Sequence, residues 1–257
     1  MKSILKKLTT TLGYRIEKIP EMPSHGHYDR DGLRSIHSHR FMDDPRFQKA
    51  FDRGTAALDE GETYGIHWRL HIALWVARNA IDRGGHFVEC GVNKGFVSSA
   101  VMDYLDWNDL DRSIYLLDTF QGIAAEHLTE KEAAEGAADG SARRLESGFY
   151  VTGTERVRKN FLEWDRVKII EGTVPETLAE IDTDQIGYLH LDMNCSAPEV
   201  AAMEELWDRI VPGGMILMDD YCYWGYDEIH DGANRFARAR NVEIVALPTG
   251  QGILIKP

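Results

Sequence analysis

The sequence predicts an α/β fold: a doubly wound, mainly parallel sheet of seven strands with helices on both faces. Five short, nearly continuous apolar runs alternate with helical patterns, which is typical of parallel strands buried on both faces. Two further apolar runs end the chain with only four residues between them. Because so short a link cannot make a parallel crossover, these two runs predict a closing antiparallel hairpin.

The N-terminal segment, residues 1–63, contains no convincing strand, and we expect a helical arm and lid there, ahead of a domain over residues 64–257. Within residues 1–20, five basic residues against one acidic residue give a net charge of +4, which leaves −17 for the remainder. Apolar residues at helical spacing accompany these charges: Ile4, Leu5, Leu8 and Leu12. Such a basic amphipathic helix can make weak contact with an anionic membrane surface. The interpretation we favour is a packing or dimerisation arm, which is consistent with a homo-oligomer.

The predicted domain opens with a helix over residues 64–81, followed by Gly84 and Gly85, which suit the left-handed conformation of a helix terminus. The seven strands are predicted at residues 86–90, 113–118, 166–171, 187–192, 214–219, 242–247 and 252–256. Helices are expected after the first strand, to about residue 105, and over residues 198–210. The connection at residues 119–165 is longer than one helix requires, which predicts a mobile lid or a substrate loop.

A glycine turn follows the first strand and opens a helix. Gly91 permits a tight turn, and Gly95 permits close approach to a ligand. The spacing is GxxxG with Glu89 ahead of it and Asn93 within it, whereas dinucleotide-binding turns have GxGxxG. The turn is therefore a candidate site for a cofactor with a sulfonium and an amino-acid tail. Glu89 would meet the positive charge or shape the turn; a purely structural turn is the alternative.

The end of the second strand carries a second candidate cofactor contact. Asp118 is placed to accept hydrogen bonds from ribose hydroxyls, with Thr119 beside it. The alternative is a helix N-cap, which is a common role of aspartate. Gly172 and Thr173 follow the third strand and are expected to flank an adenine ring.

Three aspartates follow the fourth and fifth strands. Asp192 ends the fourth strand, and Asp219 and Asp220 end the fifth. Neighbouring strands are about 5 Å apart, so these carboxylates are expected to converge and to repel one another unless a cation or protons neutralise them. Ligation by oxygen atoms alone favours a hard ion such as Mg²⁺. Separate helix capping by each aspartate is the alternative.

Composition excludes other classes of function. The net charge of −13 argues against a nucleic-acid partner, which requires a basic surface. No apolar run is long enough for a membrane span, and we recognise no secretory signal. The three cysteines, Cys90, Cys195 and Cys222, are odd in number and widely spaced, which suits reduced thiols and a cytoplasmic location.

Taken together, these motifs resemble the macrocin O-methyltransferase family, class I methyltransferases with a Rossmann-like fold that methylate sugar hydroxyls in antibiotic biosynthesis. The likeness runs from about Tyr64 to the C-terminus. It covers ECGVNKG at 89–95, LLDTFQG at 116–122, IVPGG at 210–214, DDY at 219–221 and TGQGILIKP at 249–257. The resemblance implies S-adenosylmethionine at Glu89, Gly91 and Asp118. It also implies Mg²⁺ at Asp192, Asp219 and Asp220, with an alcohol acceptor bound to the ion.

One position departs from the family pattern. Sugar-methylating members usually carry a second aspartate, two residues after the first metal ligand, as the general base; here that residue is Asn194, which cannot accept a proton. The proton is then expected to leave to a metal-bound carboxylate such as Asp192, to water, or to a histidine. His190 shares a strand face with Asp192, although a structural histidine beneath the site is the alternative. Aromatic residues after the aspartate pair either wall an acceptor pocket or pack beneath a helix: Tyr221, Tyr223, Trp224 and Tyr226.

Three hypotheses about function follow. The favoured one is a metal-dependent O-methyltransferase that acts on a hydroxyl of a sugar or related polyol. The second is a protein that binds S-adenosylmethionine with altered or lost catalysis, which Asn194 suggests. The third is a nicotinamide-dependent oxidoreductase, which the glycine spacing and the closing hairpin disfavour.

Overall fold

The computed structural model describes residues 26–257, which divide into two compact units between residues 40 and 41. In the first unit, strand β1 (Tyr28–Arg30) pairs with β2 (Leu33–Ser35) in an antiparallel hairpin. Asp31 and Gly32 form its turn, both with positive φ, as two-residue hairpin loops require. The expectation that residues 1–63 contain no strand is therefore wrong, because three-residue strands are too short to show a period. The basic amphipathic pattern of residues 1–20 lies outside the described residues.

The second unit contains the predicted sheet. Its strands are β3 (His86–Cys90), β4 (Ile114–Asp118), β5 (Val167–Glu171), β6 (Ile186–Leu191), β7 (Ile210–Met218), β8 (Ile244–Ala246) and β9 (Gly252–Ile255). They lie in the order β5-β4-β3-β6-β7-β9-β8. Strands β3 to β7 are parallel, and β9 runs antiparallel to both β7 and β8. The seven-stranded sheet and its closing antiparallel hairpin confirm the predicted fold class.

The helices flank this sheet, and the first of them lies ahead of the domain start predicted at residue 64. They are α1 (Pro45–Thr55), α2 (His67–Ile81), α3 (Phe96–Tyr104), α4 (Glu130–Ala134), α5 (Ala137–Glu146), α6 (Glu155–Asn160), α7 (Ser196–Leu206) and α8 (Asp227–Ala239). Short 3₁₀ turns occupy Arg40–Asp43, Trp107–Asp109, Ala125–His127, Glu176–Glu180 and Trp207–Arg209. Within residues 26–257, no helix is long and apolar enough to cross a membrane.

Two apolar layers bury the strands on both faces. On one face, Phe87 and Leu217 pack with side chains of α1, α2 and α3, such as Leu70. On the other face, Val88 and Ile216 pack with side chains of α7 and α8. Because neighbouring residues of one strand enter opposite layers, the strands read as continuous apolar runs. Glu89 of β3 and His190 of β6 are polar residues buried within these apolar strands, one residue before each strand ends.

The long connection between β4 and β5 is folded into helices α4, α5 and α6. A capping box, made by Thr129 and Glu132, begins α4. The other carboxylate oxygen of Glu132 accepts a hydrogen bond from Ser196 N, 2.7 Å away at the start of α7. The connection is thus attached to the segment that follows β6, where two of the predicted site residues, Asp192 and Asn194, lie.

Candidate active site

The carboxyl ends of β3, β4, β6 and β7 meet at one edge of the sheet. The strand order reverses between β3 and β6, which is the switch point where open α/β sheets bind ligands. The N–H of Asp192 donates to the carbonyl of Cys90, and the N–H of Asp219 donates to the carbonyl of Leu191, both at 2.9 Å. These two bonds connect the ends of β3, β6 and β7 and bring the predicted site residues together.

Two glycines hold the turn after β3 close to the end of β6. Gly91 has a φ of +94°, and a Cβ atom there would overlap the carbonyl of Asp192. Gly95 has a φ of +87°, and a Cβ atom there would lie 2.7 Å from the ring of Phe161. Both positions thus require glycine, for the backbone conformation and for the close approach.

Asp118 ends β4, and its carboxylate holds the glycine turn. Its Oδ2 accepts from the backbone N–H groups of Val92 and Asn93, each at 2.8 Å, and its Oδ1 accepts from the N–H of Phe120 at 2.7 Å. A carboxylate offers about four lone-pair positions. The fourth, on Oδ1, faces the Thr119 hydroxyl at 3.4 Å and can accept a stronger donor. The ribose contact stays a prediction, and the structure adds a role in holding the turn.

The side chain of Asn93 connects the glycine turn to the long crossover. Its Nδ2 donates to the carbonyl of Phe149 at 3.0 Å, and its Oδ1 accepts from Val151 N at 2.9 Å. Both ends of the amide are therefore engaged by the segment that precedes α6. The predicted contact of Asn93 with the cofactor remains untested.

Three other predicted cofactor residues lie at the ends of β4 and β5. The N–H of Gly172 donates to the carbonyl of Asp118 at 3.0 Å, which places the two strand ends side by side. Thr119 Oγ1 donates to a carbonyl of its own turn at 2.6 Å, and Thr173 Oγ1 donates to Glu176 Oε2 at 2.9 Å. The structure thus brings these residues to one edge of the sheet, with both hydroxyls holding their own loops.

Glu89 points into the protein interior and contacts His190 on the neighbouring strand. The carboxylate is 2% exposed, its Oε1 lies 2.9 Å from His190 Nδ1, and its Oε2 accepts from the Ser98 hydroxyl. Burial raises the pKa of Glu89, and the His190 ring partly opposes this effect. Neither contact involves the glycine turn at residues 91–95, so both interpretations of Glu89 stay predictions.

His190 lies beneath the aspartates. Its ring is 1% exposed, and Nε2 is 3.9 Å from Asp219 Oδ1. Burial lowers the pKa of His190, but the carboxylates of Asp219 and Glu89 outweigh burial and raise it to about 10. An imidazolium held between two carboxylates is a countercharge, which is the structural role considered as the alternative for this residue.

The three aspartates lie at the same edge of the sheet, where an arginine pairs with two of them. The guanidinium of Arg69, on α2, forms an ion pair with Asp219 Oδ2, and its Nη1 lies 3.7 Å from Asp220 Oδ1. Gln251 Nε2 donates to the other oxygen of Asp219 at 2.8 Å. Sequence reasoning missed Arg69, because nothing in a buried helix pattern shows which strand end its polar residue approaches.

The pKa values of the aspartates show how strongly they interact. Burial and the nearby carboxylates of Asp219 and Asp220 raise the pKa of Asp192 well above its ordinary range. Burial, followed by the charge of Asp219, raises the pKa of Asp220 to about 8. For Asp219 itself, burial is outweighed by Arg69 and His190, which lower its pKa to about 2. Negative charge therefore resides on Asp219, next to the two cations.

Asn194 lies at the centre of a polar cluster beside these aspartates. Its Nδ2 donates to Asp192 Oδ1 at 2.8 Å. Its Oδ1 accepts from Tyr226 Oη at 2.9 Å, from Arg144 Nη1 at 3.1 Å and from Tyr150 Oη at 3.3 Å. Arg144 and Tyr150 come from the long crossover, which therefore reaches the site as expected of a substrate loop.

Comparisons with known proteins agree with this geometry. A family model described as macrocin-O-methyltransferase matches residues 70–245. The chain belongs to the macrocin-O-methyltransferase family. A relative from Streptomyces olivaceus, 8-demethyl-8-(2,3-dimethoxy-alpha-L-rhamnosyl)-tetracenomycin-C 4'-O-methyltransferase, is 30% identical over 159 residues, which are 59% of each chain. Demethyldecarbamoylnovobiocin O-methyltransferase from Streptomyces niveus is 27% identical over 142 residues, 53% of each chain.

A solved O-methyltransferase structure has the same fold as this member of the macrocin-O-methyltransferase family. The O-methyltransferase NovP superposes with a TM-score of 0.61 at 22% identity, over 73% of this chain and 79% of that one. The curated relatives are matched over just over half of their length. Family membership and fold are therefore established.

In this member of the macrocin-O-methyltransferase family, the aspartates as placed do not fit a bound ion. Across residues 26–257, no three histidine, cysteine, aspartate or glutamate side chains are arranged to hold a metal. Both oxygens of Asp219 are engaged, by Arg69 and by Gln251. An ion at this position would require the Arg69 guanidinium to move. The Mg²⁺ site at Asp192, Asp219 and Asp220 stays a prediction.

The aromatic residues after the aspartate pair were expected either to wall an acceptor pocket or to pack beneath a helix, and they differ in their contacts. Tyr221 is buried, and its hydroxyl donates to Asn234 Oδ1 at 3.2 Å, so it packs beneath α8. The Arg69 guanidinium lies 4.8 Å from the centre of the Tyr223 ring. Tyr226 contacts the polar cluster around Asn194, whereas Trp224 is 92% exposed.

Two more residues near the glycine turn lacked a sequence signal. Lys94 is 2% exposed, and its ammonium pairs with Asp59 and Glu62, each at 2.7 Å. The buried hydroxyl of Tyr64 has no hydrogen-bond partner among the described residues, and its ring lies 5.7 Å from that of Phe149. Burial raises the pKa of Tyr64, so this hydroxyl remains a donor at neutral pH.

Proposed function

We propose that the protein is an S-adenosylmethionine-dependent O-methyltransferase that methylates a hydroxyl of a sugar or related polyol in a small molecule. The observation that carries this proposal is the convergence of three aspartates and Asn194 beside the glycine turn, at the switch point of the sheet. Family membership supports the reaction class. The curated relatives are O-methyltransferases by name, and one name includes a rhamnosyl group, which supports a sugar-like acceptor.

The cofactor would lie along the ends of β3, β4 and β5. We assign its amino-acid tail to the turn at Gly91 and Gly95, its ribose to the remaining acceptor position on Asp118, and its adenine to Gly172 and Thr173. The unpartnered hydroxyl of Tyr64 offers a donor at the amino-acid end. When bound, S-adenosylmethionine supplies an electrophilic methyl group on a sulfonium, and the protein chiefly aligns donor and acceptor.

The acceptor hydroxyl must lose a proton as it attacks. Asn194 cannot take that proton, because an amide is not basic. The ring of His190 is buried and its Nδ1 faces Glu89, so it does not reach an acceptor. We therefore assign proton acceptance to Asp192 in its ionised form. Its raised pKa makes this form a stronger base than an ordinary carboxylate, and Asn194 holds it in place through its Nδ2.

The decisive experiment separates cofactor binding from turnover. Thermal-shift measurements with S-adenosylmethionine, S-adenosylhomocysteine and NAD should show stabilisation by the first two only. Mass spectrometry should then detect a methylated product from a panel of hexoses and glycosides. Absence of stabilisation by S-adenosylhomocysteine would refute the proposal. Binding without turnover on any hydroxyl acceptor would favour a binding protein with lost catalysis, which the neutral Asn194 makes the second candidate.

The predicted Mg²⁺ ion is tested in the same assay. If Asp192, Asp219 and Asp220 hold a metal, dialysis against a chelator should abolish turnover, Mg²⁺ should restore it, and binding of S-adenosylhomocysteine should persist. Undiminished turnover in the chelator-treated enzyme would exclude the metal site. The ion pairs of Arg69 would then account for the neutralisation of the aspartates.

A further inference from the structure

Arg144 differs from Arg69, the other arginine at this site, in the kind of side chain that its guanidinium contacts. Arg69 pairs with carboxylates, whereas no carboxylate lies within 4 Å of the Arg144 guanidinium in the described part of the chain. Its partners are neutral oxygens: Tyr150 Oη at 2.8 Å, Asn194 Oδ1 at 3.1 Å and Tyr226 Oη at 3.4 Å. The side chain is only partly exposed. The charge of Arg144 acts on Asp220 at longer range. An anion in direct contact would compensate the partial loss of water around this cation.

The cluster around Asn194 also holds more donors than acceptors. The guanidinium carries five N–H groups, and Tyr150 and Tyr226 each add a hydroxyl. All three side chains point at one amide oxygen, Oδ1 of Asn194, which has two lone pairs. Donors therefore remain free for a ligand that brings several oxygen atoms. Phosphate and carboxylate groups match the planar fork of a guanidinium in this way.

Asn194 separates these donors from the aspartates. Its Oδ1 faces Arg144, and its Nδ2 faces Asp192. A negative group could thus bind the Arg144 guanidinium directly. The neutral amide of Asn194 would separate this negative group from Asp192. An aspartate at position 194 would instead form an ion pair with Arg144 and satisfy its charge. The neutral residue is what leaves the guanidinium available.

We propose that Arg144, together with Tyr150 and Tyr226, binds an anionic oxygen group, a phosphate or a carboxylate, on the acceptor molecule. The proposal rests on the proposed function, because it names the class of acceptor for that same site. The acceptor is then a phosphorylated or nucleotide-linked sugar, or a sugar acid, rather than a neutral glycoside. Attachment of this group at the crossover would orient the reacting hydroxyl towards Asp192.

The test uses the full-length protein and measures binding with and without S-adenosylhomocysteine. The probes are inorganic pyrophosphate, glucuronate and glucose, titrated by calorimetry. Binding of pyrophosphate alone identifies a phosphate group, and binding of glucuronate identifies a carboxylate. Arg144→Gln should weaken anion binding at least about tenfold, because it removes a charged hydrogen-bond partner. The neighbouring exposed residue supplies the matched control, so Arg143→Gln should leave the affinity within twofold.

A second variant keeps the proposal falsifiable if Arg144→Gln misfolds. Asn194→Asp should weaken anion binding by a similar factor, since the new carboxylate would pair with Arg144. Failure of S-adenosylhomocysteine to bind would refute the proposed function, whatever the anions do. Normal S-adenosylhomocysteine binding, with anions bound no better than glucose or with Arg144→Gln and Asn194→Asp both without effect, would overturn the anion site alone.

Discussion

Among single residues, Asp118 connects the fold with the proposed cofactor site. Three backbone N–H groups donate to its carboxylate, two of them from the glycine turn. The residue was expected to bind ribose, yet three of its roughly four acceptor positions already accept backbone N–H groups. Its substitution should therefore affect stability and cofactor affinity together, whereas a residue that only contacts ribose would affect affinity alone.

Asp118→Ala should raise the dissociation constant for S-adenosylhomocysteine at least about tenfold and lower the free energy of unfolding by about 1–3 kcal/mol, because the three N–H groups lose their acceptor. Calorimetry and urea denaturation measure the two effects. Asp118→Asn is the matched control, since it keeps one acceptor oxygen and should lose less of both. An Asp118→Ala protein with wild-type affinity would show that the turn does not depend on this carboxylate.

His190 makes the stability of the protein depend on pH. Its folded pKa of about 10 lies above the ordinary value of 6.5, so protonation stabilises the folded state. The contribution is fully present below pH 6.5 and is lost as the pH rises towards 10. The free energy of unfolding of the wild type should fall across this window by a few kcal/mol more than that of His190→Gln. Parallel pH profiles for the two proteins would contradict the buried imidazolium.

Among the elements, the glycine turn is the one that tolerates least change. Gly91→Ala should lower the free energy of unfolding by at least about 3 kcal/mol, because a Cβ atom would overlap the carbonyl of Asp192 in addition to the strain of a positive φ. Gly84 is the matched control, since its φ is +86° with no atom within 4 Å of an added Cβ. Gly84→Ala should cost only about 1–2 kcal/mol. Equal losses in urea denaturation would indicate strain alone.

The sequence predicts the positions of the strands better than it predicts which distant side chains contact one another. Buried strands are apolar on both faces, so all seven were located to within a few residues, although β7 begins at Ile210 rather than at residue 214. The hairpin at Tyr28–Ser35 was not predicted, despite its Asp31-Gly32 turn, because its strands have only three residues each. The aspartates were predicted to converge because strand ends share an edge.

Contacts between residues that are far apart in the sequence could not be predicted in the same way. Arg69 lies 150 residues from Asp219, and Arg144 lies 50 residues from Asn194. No spacing rule connects such pairs, because their approach depends on how a helix or a crossover packs. The countercharge at the aspartates and the donors around Asn194 are therefore visible only in the structure.

In the domain as a whole, the crossover between β4 and β5 couples the two halves of the proposed site. It contacts the glycine turn through Asn93, and it contacts the acceptor side through Arg144 and Tyr150. It is also attached to the start of α7 through Glu132. A ligand that orders the turn should therefore order the crossover, and through it the donors that face the acceptor.

Hydrogen exchange tests this coupling in the intact protein. Saturating S-adenosylhomocysteine should slow amide exchange in residues 149–153 severalfold, because Val151 N donates to the side chain of Asn93 within the turn. The hairpin of β8 and β9, where Leu247 N donates to the carbonyl of Gln251 at 2.9 Å, should be unaffected and serves as the internal control. In Asn93→Ala the slowing at residues 149–153 should disappear even if the ligand still binds. Equal protection of both segments would mean that the ligand stabilises the domain uniformly, and unchanged exchange at 149–153 would mean that the crossover is independent of the turn.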